Sequence, residues 1–163
     1  MGQVGEEPIT LRPAGADDVP AIVALLNTAF AMERAFMDRE RIYLPEVEAY
    51  MKAGAYFVVD AEDGALDACM YLEPRGDRMY LGMLAVNPAR QGSGLGKRMM
   101  TLAEQRTAAA GCQALDIRVV NLRTELPPFY RRLGFVECGT APLTDPALKT
   151  PAHFIHMTKK VGP

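Results

Sequence analysis

The chain has 163 residues, 49% hydrophobic and 23% charged, with a formal net charge of −2. That is the profile of one ordinary globular domain, long enough to bury a core. So small a charge gives no electrostatic ground for nucleic acid or an anionic membrane as partner. Cys69, Cys112 and Cys138 are odd in number and lack metal-ligand spacing, so no metal is expected and the thiols read as reduced in a cytoplasmic protein.

Residues 1–8 are polar and acidic, unlike a signal peptide, and no apolar run reaches membrane-spanning length. They are expected to be a flexible lead into a single domain over 9–163. Residues 9–12 form a short strand candidate ending at Pro13. Asp17 then offers an N-cap, with Val19, Ile22, Val23, Leu26 and Phe30 on one helical face. Residues 33–43 are charged and weakly patterned, a loop or short helix, and 46–52 predict a second helix closed by Gly54. Strands at 55–60, 66–72 and 79–86, separated by turns at 62–64 and 74–77, predict an antiparallel meander.

A glycine-rich turn, Gln91-Gly92-Ser93-Gly94-Leu95-Gly96, follows the third of these strands. An amphipathic helix comes next, with Leu95, Met99, Leu102 and Ala103 inward and Gly111 at its end. Strand, glycine turn and helix together make a phosphate site: glycines let the backbone approach, several N–H groups converge, and the helix N-terminus adds partial positive charge. A P-loop needs glycines five positions apart before Lys and Ser/Thr, but Gln91 stands five before Gly96 and Arg98 follows Lys97. A dinucleotide fingerprint needs a glycine where Lys97 stands. Both fail on spacing. Further on, 115–120 reads as a buried strand, 125–133 as a helix stopped by Gly134, Phe135-Val136 as a strand start, 139–150 as a loop, and 153–160 as a last strand. Alternating elements without repeats give one α/β (α+β) domain on a mixed sheet.

The segment Leu84-Ala85-Val86-Asn87-Pro88 with Gln91, Gly94 and Gly96 resembles the acetyl-CoA motif of the GNAT family of N-acetyltransferases. A second block, Phe129-Tyr130-Arg131-Arg132-Leu133-Gly134-Phe135, is similar to that family's aromatic-Tyr-x-x-Leu-Gly-Phe signature, and together the likeness covers roughly residues 9–160. The resemblance implies a mostly antiparallel sheet of six to seven strands splayed at the fourth strand, flanked by about four helices. It implies acetyl-CoA as co-substrate, with Gln91, Gly92, Ser93, Gly94, Leu95, Gly96 and Lys97 around the pyrophosphate. Leu84, Ala85 and Val86 would pair with the pantetheine arm, and Leu84 could also offer an N–H to the thioester carbonyl. Asn121 matches a pantetheine-binding position, although the nine residues to Tyr130 exceed the usual gap. Tyr130 matches the general acid, a phenol that remains a donor through neutral pH.

Direct attack requires a neutral amine, and the fourth-strand position where many members carry an acid is Gly82-Met83 here. Glu73 is one replacement, acting through water. Glu33 or Asp38 is placed to bind a cationic acceptor, and of His153 and His156, on opposite strand faces, at most one reaches the cleft. The reading is an acetyl-CoA-dependent N-acetyltransferase working by direct transfer to a small-molecule or peptide amine, with a homodimer common in the family. A catalytically silent acyl-CoA-binding regulatory module is the alternative.

Overall fold

The computed structural model describes residues 9–162, so the expectation for residues 1–8 lies outside the described residues. Seven strands form one mixed sheet in the order β1-β2-β3-β4-β5-β7-β6. They are β1 (Arg12–Pro13), β2 (Ala55–Asp60), β3 (Leu66–Arg75), β4 (Arg78–Val86), β5 (Ala114–Val120), β6 (Val136–Pro142) and β7 (His153–Lys160). Four α-helices cover the sheet: α1 (Val19–Ala29), α2 (Leu44–Ala53), α3 (Leu95–Ala109) and α4 (Leu126–Arg132). Every strand pairing is antiparallel except β4 with β5.

The core lies in two layers. Met70, Leu72, Leu81, Leu115, Ile117 and Met157 of the sheet pack against Leu95, Met99, Met100 and Ala103 of α3. On the opposite face Tyr56, Val58, Cys69 and Tyr71 meet Ile22 and Leu26 of α1 and Val47 of α2. Alternation along β3 and β4 feeds both layers, the signature of a sheet covered on two sides.

Several boundaries differ from the sequence expectation, each for a local reason. Asp18, not Asp17, ends the turn before α1; its carboxylate accepts from Arg12 and from the Gly15 N–H at 2.8 Å. β3 runs on to Arg75 through Pro74, leaving only Gly76 and Asp77 as the turn. Proline is tolerated there because β2 pairs with β3 only as far as Leu72, so no ladder bond from residue 74 is lost. Residues 139–142, expected as loop, extend β6 as an edge strand along β7. In α3 the helical period also buries Met100 and Thr107.

Gly54 shows how tightly the second layer is closed. A Cβ there would lie 2.5 Å from the Leu72 carbonyl oxygen and 2.6 Å from the Tyr71 hydroxyl. That hydroxyl sits 2.8 Å from the Tyr50 carbonyl oxygen and 2.7 Å from a Glu73 carboxylate oxygen, sharing its one proton between them, so it has little freedom to yield. Gly54→Ala is expected to cost about 2 kcal/mol by overpacking. Such a loss lowers the melting temperature by roughly 5 °C in a domain of this size. An unchanged melt would show that the β2–β3 end is slack.

Candidate active site

The parallel pair β4–β5 is hydrogen-bonded only where Arg78, Met79 and Tyr80 face Ala114, Leu115 and Asp116. Beyond that point the strands diverge, and the space between them is a cleft of about 240 Å³ lined by residues 80–86 of β4 and 117–120 of β5. The splay expected at the fourth strand is therefore present. Its cause is visible in the register: Cys69 pairs with Ala85 but Tyr71 with Gly82, so β4 carries one extra residue. Met83 absorbs it at φ 51, a left-handed conformation costly for a side chain of this size and characteristic of functional sites. From Leu81 onward the β4 edge facing β5 has no partner strand.

An outer groove of about 580 Å³ continues from this cleft, between the glycine turn and α4; Leu84, Val86, Gln91, Leu126 and Tyr130 line both spaces. Gly92 (φ 83) and Gly94 (φ 79) take left-handed backbone, and Gly94 is the N-cap of α3. Gly96 differs, since an added Cβ would meet Val86 at an ordinary 3.7 Å. The amides of Gln91 and Ser93 are satisfied inside the turn, and Arg98 donates to the Gly94 carbonyl. Among the described residues, those of Gly92, Gly94, Leu95, Gly96 and Lys97 have no acceptor. Converging donors at a helix start are a ready anion site.

Tyr130 projects from α4 into the junction of cleft and groove. Its ring is held edge-on by Phe129 at 5.1 Å and Phe135 at 5.7 Å. The hydroxyl makes no hydrogen bond to any described residue. Desolvation pushes its pKa up to about 12, so it holds its proton at every physiological pH. Pro127 and Pro128 fall in the first turn of α4, where the lost N–H groups are orphans in any case.

A third space of about 190 Å³ lies on the far side of the cleft, against residues 30–46 and the β6–β7 connection. Glu33, expected as a site for a cationic acceptor, is instead committed to arginines. It accepts from Arg123 at 2.7 Å and stands 3.6 Å from Arg41, with only 11% of its side chain exposed. This contact joins the α1–α2 segment to the β5–α4 loop across the mouth of the splay.

Other expected site residues lie away from these spaces. Asn121 accepts from the His153 N–H at 2.8 Å while its own N–H donates to the His153 carbonyl at 2.9 Å, so it fastens β7 to β5. Glu73 accepts from Tyr71 and from Arg75 at 2.5 Å, and its pKa is lowered chiefly by Arg75. Asn121, Glu73, Asp38, His153 and His156 line none of the three spaces. The missing fourth-strand acid has a steric counterpart: a Cβ on Gly82 would lie 2.9 Å from the Tyr80 ring, which fills that place. Phe30, Tyr80, Arg118, Arg123 and Phe154, none foreseen, line the cleft. The only hint in the sequence was an arginine at position 118 amid an apolar strand.

Comparison with known proteins agrees with this geometry. Residues 52–137 match the family model described as an acetyltransferase (GNAT) domain. The L-methionine sulfoximine/L-methionine sulfone acetyltransferase of Pseudomonas paraeruginosa is 25% identical, over 82% of this chain and 83% of its own length. An amino-acid acetyltransferase of Ralstonia nicotianae is 31% identical over 77% of this chain, which spans only 26% of that protein. The solved ribosomal-protein-S18-alanine N-acetyltransferase of Escherichia coli superposes with TM-score 0.77 at 17% identity, over 94% of each chain. A GNAT family acetyltransferase from Elizabethkingia anophelis, solved with acetyl-CoA bound, gives 0.73 at 17% identity, over 96% of this chain and all of that one. Identities this low speak for the fold, and the family match covers more than half of the sequence. The chain belongs to the GNAT family of acetyltransferases.

Proposed function

We propose that this protein transfers the acetyl group of acetyl-CoA directly to a small-molecule amine inside the V between β4 and β5, with Tyr130 as general acid. The observation that carries the reading is the continuity of groove and cleft: unsatisfied turn amides at one end, the open β4 edge in the middle, Tyr130 where they meet. The donor set fits the co-substrate. Amides of residues 92 and 94–97, with Gln91 and Ser93 shaping the turn and the Lys97 ammonium beside it, suit a pyrophosphate. The unpaired edge of Leu84, Ala85 and Val86 suits an extended arm bearing amides, which can pair as a strand does. An N–H at Leu84 would polarise the thioester carbonyl, and the Tyr130 hydroxyl would give its proton to the departing thiolate.

Acceptor size follows from the inner spaces, which hold a small molecule rather than a folded surface. The acceptors named for the relatives, an amino-acid analogue and amino acids, support the same scale. Among the described residues no carboxylate lining the cleft is free to act as base: Glu33 is paired, and Glu73 stays with Arg75 and Tyr71 outside it. In this reading Glu73 and Asn121 hold the scaffold, and the acceptor enters as its neutral amine.

The pH dependence then has a definite sign. Because the Tyr130 pKa is raised to about 12, the acid form is lost only as pH rises through that value. Turnover is expected to climb with pH until the acceptor amine is deprotonated, with no alkaline limb below about pH 11. A bell centred near neutrality would point to a second enzyme group.

The reading is tested by thiol release from acetyl-CoA across free amino acids, their derivatives, simple amines and peptides. Acceptor-dependent release is the expected result. Tight acetyl-CoA binding with no release on any acceptor would favour a silent binding module and overturn the proposal.

A further inference from the structure

The inner and far clefts together are lined by five arginines and four carboxylates. Arg34 is paired with Glu40 at 2.8 Å, and Arg39 with Glu46 and with Asp145 at 3.7 Å. Glu33 is taken by Arg123 at 2.7 Å. Arg118 has no carboxylate, Arg41 has only a share of Glu33 at 3.6 Å, and both line the inner and the far cleft.

Arg41 is half-buried, and Arg118, although exposed, rests against aromatic rings. The Arg41 Nε is buried without a hydrogen-bond acceptor, its nearest carboxylate oxygen being that of Glu33 at 3.6 Å, and its guanidinium lies 5.0 Å from the centre of the Phe30 ring. Arg118 stacks on Phe154 at 4.2 Å and stands 5.9 Å from the Tyr80 ring, with no ion pair or hydrogen bond to any described residue. A buried N–H without an acceptor costs free energy, and a guanidinium resting on an aromatic ring with no ion pair keeps its fork of donors available to a ligand in the space it lines. That arrangement is complementary to a carboxylate, which arginine grips bidentately.

We infer that the acceptor is an amine carrying a carboxylate, an α-amino acid in the simplest case, whose carboxylate is held by Arg118 with Arg41. This rests on the acetyl-transfer reading for the identity of the site and adds the acceptor's chemical class. The surplus positive charge also disfavours polyamines and other multiply cationic acceptors, for which Glu33 would have had to be free. Apolar walls at Met83, Val120 and Phe154 leave room for an uncharged side chain beside the carboxylate.

The test compares L-amino acids with their carboxamides, which differ only in the group Arg118 would read. Two measurements are made on each: calorimetric binding to the protein saturated with CoA, and kcat/KM with acetyl-CoA. Acids are expected to exceed amides at least tenfold in both. Arg118→Gln should remove that preference by raising KM for the acids at least tenfold more than for the amides, and Arg118→Lys should restore part of it. Arg41→Gln should weaken the acids alone. Equal use of acids and amides, or a preference that survives Arg118→Gln, overturns the inference. Binding of neither acids nor amides, with turnover of peptides or simple amines, also overturns it while leaving acetyl transfer standing. If nothing is acetylated the transfer reading fails, and the acid–amide binding difference still decides this one.

Discussion

Tyr130→Phe is expected to lower kcat by on the order of 10²-fold or more, with acetyl-CoA binding unchanged. A hundredfold loss corresponds to about 2.7 kcal/mol of transition-state stabilisation. The substitution is unusually clean. The ring contacts with Phe129 and Phe135 survive in phenylalanine, and the hydroxyl has no partner within the described fold, so its removal breaks no internal hydrogen bond. Stability should therefore stay within about 0.5 kcal/mol, as for substitutions that disturb no packing or network. Single-turnover rates with saturating donor and acceptor, beside a thermal melt, separate the two effects. Full activity in the variant would mean that the thiolate leaves unassisted or takes its proton from water, and Tyr130 would then be only a wall of the groove.

Arg123→Met should destabilise the fold by about 3 kcal/mol, the low end for breaking a buried ion pair by removing one partner. Arg123 and Glu33 are each only 11% exposed and meet at 2.7 Å, so water screens them little. Glu125 also accepts from Arg123 at 3.0 Å, but it is 61% exposed and adds little. Without Arg123, Glu33 would face only Arg41 at 3.6 Å. The low end is chosen because that second arginine remains. Adding Glu33→Gln to Arg123→Met should recover much of the loss, because the stranded charge disappears. Denaturant unfolding of both single variants and the double gives the coupling. A change below about 1 kcal/mol would put the pair among screened surface bridges. A loosened bridge should also slow transfer, since it spans the mouth of the splay and Arg123 lines both cleft and groove.

What the sequence revealed depended on how local the determinant was. The glycine turn was legible because left-handed backbone demands glycine at 92 and 94, and the start of α3 follows at once. β7 was found to the residue because breakers bound it on both sides, Pro151 before and Gly162 after. β6 was cut short because Gly139 and Pro142 argue against a strand and its residues are almost all exposed; only pairing with β7 makes them one. The site divides in the same way. Motif spacing pointed to Tyr130 and the turn, whereas the Glu33–Arg123 contact joins positions ninety residues apart that no local pattern connects. Asn121 lies at the end of β5 as its motif position suggests, yet the length added by Pro127 and Pro128 accompanies a side chain turned toward β7. Arg118 was hidden because a lone arginine in an apolar strand gives no sign of its neighbours, and Phe154 and Tyr80 come from other strands.

The central claim is that the donor is anchored at the glycine turn and reaches Tyr130 along the open edge of β4. Amide hydrogen exchange with and without acetyl-CoA addresses it directly, since the turn N–H groups of residues 92 and 94–97 have no acceptor among the described residues and should exchange fast when the protein is alone. The account predicts that acetyl-CoA slows exchange at residues 92 and 94–97 and along 84–86, with little change on β6. Protection confined to some other surface, or amides of the turn that exchange equally fast with the donor bound, would contradict it.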